Sequence, residues 1–74
     1  MYVSVKESTG AVVINEIHSQ AIASHICCRF RGAGSPATIE MLPGVAGYRV
    51  SVPDLGLLEV ERVLKELRIE SQRR

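Results

Sequence analysis

Asn15-Glu16-Ile17-His18-Ser19-Gln20-Ala21-Ile22-Ala23-Ser24-His25-Ile26-Cys27-Cys28-Arg29-Phe30 contains neither Gly nor Pro, and its conformation decides the fold. A strand running on from Ala11 through Phe30 would far exceed the usual length of about 3–10 residues, so something must change after Ile14. If Asn15 or Ser19 caps a helix, Ile22, Ala23, Ile26, Cys27 and Phe30 share one face, and His18, His25 and Arg29 cluster on another. The rival reading is a strand over residues 22–30, with Ile22, Ile26, Cys28 and Phe30 pointing one way. Alanines at 21 and 23 favour the helix.

Upstream, Tyr2, Ser4 and Lys6 alternate with Val3 and Val5, and Ala11-Val12-Val13-Ile14 is rich in β-branched residues. A hairpin closed by Glu7-Ser8-Thr9-Gly10 follows from that pattern. Downstream, Arg31-Gly32-Ala33-Gly34-Ser35-Pro36 breaks the chain, because glycines end a helix cheaply and proline cannot continue one. Thr38 to Leu42 then reads as a strand with Thr38, Glu40 and Leu42 on one side and Ile39 and Met41 on the other. Pro43-Gly44 opens a turn, with Val45, Ala46 and Gly47 in or beside its loop. Tyr48, Val50 and Val52 alternate with Arg49 and Ser51, so a second hairpin is expected.

Pro53 to Arg68 is the clearest helical segment. Leu57, Val60, Leu64 and Leu67, with Val63 beside them, form an apolar stripe, and Asp54 is placed to cap it. Glu59 and Glu61 lie early and Lys65 and Arg68 late, which complements the helix dipole. The stripe also satisfies two heptads of a coiled coil, short of the three or four that such a seam needs. Packing onto a sheet is therefore the default.

The expected fold is α+β, a two-layer sandwich in ββαββα order: an antiparallel four-stranded sheet with two helices on one face. Residues 1–70 form a single compact domain and 71–74 a flexible basic tail.

With 74 residues, the chain buries only about 60% of the surface its unfolded form exposes. A core this small leaves roughly 3–5 kcal/mol, so a partner or dimerisation would help. Hydrophobic residues make up 46% and charged ones 23%, which excludes a disordered polyelectrolyte. A net charge of +1 gives no long-range attraction to nucleic acid or anionic membrane. No signal peptide or membrane-spanning run is visible, and two adjacent reduced cysteines fit a cytoplasmic protein.

The chemistry-bearing residues are sparse. His18 and His25 lie about 10 Å apart along a helix, too far to share an ion held at about 2 Å. Cys27 and Cys28 read as small hydrophobes, and the carboxylates Glu7, Glu16, Glu40 and Asp54 are scattered. No metal site, catalytic group, cofactor or small-molecule substrate is expected. Arg29-Phe30-Arg31-Gly32-Ala33-Gly34-Ser35 joins two arginines, an aromatic and a glycine loop, a combination that can hold phosphates. Arg49 on the exposed strand face would complete that surface. Leu55, Leu58 and Ile69 fall off the stripe of the last helix and read as a contact patch for a protein partner or a second copy.

The function expected is thus a small non-enzymatic protein-interaction or self-associating module, acting through the C-terminal helix or an open sheet edge. The alternative is a nucleic-acid-binding regulator that uses Arg29, Arg31 and Arg49.

Overall fold

Val3, Val5, Val12, Ile14, Val50 and Val52 are sealed from solvent on one face of a sheet, in a computed structural model that describes residues 2–44 and 47–74. The elements are β1 (Tyr2–Ser8), β2 (Ala11–Ile17), α1 (Gln20–Gly32), β3 (Thr38–Met41), β4 (Tyr48–Pro53), α2 (Leu57–Glu66) and β5 (Glu70–Arg73). Both helices pack on the sheet's apolar face, α1 mainly over β4 and β3, and α2 over β5 and β1. Ala23, Ile26, Cys27 and Phe30 of α1 and Val60, Val63 and Leu64 of α2 complete a continuous core. The helix expected after a cap at Asn15 or Ser19 therefore prevails over the rival strand at residues 22–30.

The four-stranded antiparallel sheet expected from the sequence needs correction. The sheet has five strands in the order β3-β4-β2-β1-β5, and β5 runs parallel to β1. Its pairing includes residues 71–73 of the segment expected to be a flexible tail, and the Arg74 N–H donates to the Val5 carbonyl at 2.9 Å. Backbone bonds and an ion pair, rather than an apolar pattern, hold this strand.

A bulge settles what happens after Ile14. Ile14 pairs with Val50 and Ile17 with Tyr48, so β2 carries one residue more than β4 over that interval. Glu16 absorbs it with φ 65°. Residues three apart would otherwise face opposite sides of the sheet; the bulge returns Ile17 to the core.

Helix boundaries differ from the sequence reading at both ends of α2, which runs Leu57–Glu66 inside the segment read as Pro53 to Arg68. Ser19 caps α1, its Oγ accepting from the Ile22 N–H at 3.3 Å. Asp54, however, is not the cap of α2: it sits in a turn at φ 69°, and Gly56 holds the cap position without a side-chain bond. Both helices end in the same motif. Gly34 N–H bonds the Arg31 carbonyl and Ser35 N–H the Phe30 carbonyl, and Arg68 and Ile69 repeat this on Lys65 and Leu64. These are Schellman ends with a left-handed residue, Gly34 at φ 95° and Arg68 at φ 62°, turning the chain back to the sheet.

The first hairpin is also tighter than expected, with Ser8 paired to Ala11 across Thr9-Gly10. Gly10 supplies the positive φ of 76°. The second hairpin turn, expected to have Val45, Ala46 and Gly47 in or beside it, lies partly outside the described residues.

Candidate interaction site at the free edge of β3

The Schellman end of α1 delivers the chain to β3, and three hydrogen bonds fix it there. Ser35 is buried and its Oγ donates to the Pro53 carbonyl at 2.6 Å. Arg31 Nε donates to the Ala37 carbonyl at 2.7 Å, and Cys27 Sγ donates to the same oxygen at 3.4 Å. Thr38 to Met41 then pair antiparallel with Ser51 to Tyr48.

The direction of the backbone groups follows from that ladder. Leu42 N–H donates to the Gly47 carbonyl at 3.2 Å, and at the other end the Pro53 carbonyl faces Ser35. Because groups alternate along an antiparallel strand, Thr38 and Glu40 bond inward to β4, and Ile39 and Met41 turn their N–H and C=O groups outward. Ala37 also faces outward, but Arg31 and Cys27 occupy its carbonyl. The open part of the edge is Ile39 to Met41.

Side chains alternate along the same strand. Ile39 pairs with Val50 and Met41 with Tyr48, so both lie on the helix side, yet Ile39 is 39% and Met41 71% exposed. Glu40 lies on the opposite face, where Arg49 Nη1 donates to its Oε1 at 2.8 Å. Arg49 Nε also donates to Asn15 Oδ1 at 3.2 Å. The edge thus combines unpaired backbone, two uncovered apolar side chains and a neutralised charge.

The three arginines read as a phosphate surface are not brought together. Arg29 binds Glu66 of α2 at 3.0 Å and Arg31 wraps onto Ala37, both within the helical layer. Arg49 lies across the sheet from them. Phe30 is completely buried and has no ring face to offer a base.

The three apolar residues read as a partner patch also separate. Ile69 is 8% exposed and belongs to the core, and Leu55 packs against it half-buried. Leu58 alone stays out, 74% exposed. His25 and Cys28 are exposed on α1 and Cys27 is buried. Among the described residues no group of three His, Cys, Asp or Glu side chains could hold a metal ion. None of the described helices is long and apolar enough to cross a membrane.

A second feature lies at the opposite edge. An open cleft of about 630 Å³ between α2 and β5 is lined by Tyr2, Lys65, Arg68 and Ile69, among others. Beside it, Arg73 makes two hydrogen bonds to Glu61, at 3.0 and 2.8 Å, which hold the Glu61 carboxyl below the ordinary carboxylate range.

Sequence reasoning placed Ile39 and Met41 on one side of their strand but gave them no role. The available signal was a short strand bracketed by Pro36 and Pro43 with a charge at its centre, features common in edge strands. No family model, curated protein or solved structure was found to match the chain.

Proposed function

We propose that the chain is a non-enzymatic interaction module that takes an extended strand onto the free edge of β3. The observation that carries this reading is the outward-facing backbone of Ile39 and Met41 beneath two uncovered apolar side chains. Strand addition uses those two elements together: main-chain hydrogen bonds provide affinity, and alternate side chains provide selectivity. Leu58 is a single exposed apolar residue, which is ordinary on a protein surface and does not compete as a site.

A synthetic peptide of residues 36–43, blocked at both ends, tests the reading when titrated into the isotopically labelled full chain. The Ile39 and Met41 amide resonances should move first, with smaller changes at Glu40 and Arg49. Shifts spread evenly over the surface, or none at about millimolar peptide, would remove β3 as the docking edge.

A further inference from the structure

We infer that the strand received by β3 is β3 of a second copy of this chain, paired antiparallel about a two-fold axis at Glu40. This rests on the docking reading above and adds the identity of the occupant. Three features of the edge point to self-pairing.

The open groups are self-complementary in one register. With Ile39 opposite Met41 of the second copy, and Met41 opposite its Ile39, every outward N–H on this stretch meets an outward C=O. Centring the pair on Ile39 would instead place Met41 against Ala37, whose carbonyl Arg31 and Cys27 already hold. The edge is closed at that end.

Apolar groups meet apolar groups in this register. Ile39 and Met41 share the helix side, so the two exposed pairs form one cluster across the junction. The α1 surface that looks along this edge is low. Arg29 reaches α2 from one flank of α1, and at 100° per residue the opposite flank carries Gln20, Ser24 and Cys28. The longest side chain there, Arg31, is drawn down onto Ala37.

Charges balance on the other face. The two Glu40 side chains face each other at the axis, which alone would oppose pairing. Each arrives with its own Arg49 at 2.8 Å, so the row across both sheets reads cation, anion, anion, cation.

The sheet takes a strand at the equivalent position of its other half. Its four antiparallel strands run β3-β4-β2-β1, and exchanging the two strand-strand-helix halves maps the outer edge of β3 onto that of β1. On β1 that edge is covered by β5.

Sedimentation equilibrium on the full chain from about 10 µM to about 1 mM should show a monomer–dimer equilibrium. Met41→Pro removes an outward N–H and no β3–β4 bond; it should keep its circular dichroism and weaken the dimer about tenfold or more. Arg49→Met should weaken it less, about fivefold at most. In a Cys28→Ser background, oxidised Glu40→Cys should give a covalent dimer, because facing Cα atoms at such a position lie about 4.5 Å apart, within disulfide reach. Thr38→Cys should not. A chain that stays monomeric at about 1 mM, a folded Met41→Pro that dimerises undiminished, or cross-linking through position 38 in preference to 40 each overturns the proposal. If the chain is monomeric yet the 36–43 peptide still moves the β3 amides, the docking reading stands and the second copy does not. If neither occurs, both fall.

Discussion

Arg68 is one of three described residues other than glycine with positive φ, beside Glu16 and Asp54, and it is the one that ends a helix. It closes α2 at φ 62°, the position that Gly34 fills at φ 95° at the end of α1. A side chain in that region costs roughly 1–2 kcal/mol against glycine, and glycine returns part of this through its freer unfolded state. Arg68→Gly should therefore stabilise the fold by about 0.5–1 kcal/mol, seen as a higher thermal midpoint with an unchanged amide spectrum. A lower midpoint would mean that the arginine makes contacts outweighing its strain. Phe30 provides the opposite case. It is completely buried at the centre of the core, and truncation of such a ring costs about 3–5 kcal/mol. That equals the roughly 3–5 kcal/mol a chain of this size has to lose, so Phe30→Ala should be substantially unfolded at 25 °C by circular dichroism.

β5 is the element held least by apolar burial and most by charge. Arg73 hydrogen-bonds both carboxylate oxygens of Glu61, and the pairing lowers the Glu61 pKa in the folded state. A depressed folded pKa contributes stability above the unfolded value of about 4.3, and the contribution is lost as pH falls through the folded value. Protection of the Arg74 amide, which bonds Val5, should therefore drop on acidification below about pH 4 while the β2–β4 ladder remains protected. In Arg73→Gln that pH step should vanish, and its persistence would assign the acid response to another group. The same strand shows where the sequence stops being readable. α1 and α2 were legible because Ile22 to Phe30 and Leu57 to Leu67 repeat with the helical period. Glu70-Ser71-Gln72-Arg73 has no such pattern, and its strand partners Tyr2 to Val5 lie at the other end of the chain. For Ile69 the missing signal was local: it looked unassigned because no glycine marks the left-handed turn at Arg68 that bonds its N–H to the Leu64 carbonyl and buries it. The candidate edge was half legible, since alternation put Ile39 and Met41 together. Nothing local says that α1 would leave them uncovered.

On the scale of the molecule, the two ends of the sheet are unequal. β3 ends it with two exposed apolar side chains on the helix side; β5 ends it with Glu70, Ser71, Gln72 and Arg73, all polar. Charged and polar edge strands discourage further pairing. A two-fold junction at β3 also uses the same surface on both copies, so it closes on itself and leaves β5 at both outer ends. Association should consequently stop at two. Sedimentation velocity at the highest concentrations should resolve monomer and dimer, with no trimer or longer series. Glu70→Val with Gln72→Val, which makes the β5 edge apolar without touching β3 or Arg73, should add higher species that grow with concentration. Absence of those species in the folded variant would show that something other than edge polarity limits growth. Their presence in the unmodified chain would mean that β5 also pairs and that the assembly is an open array, not a closed dimer.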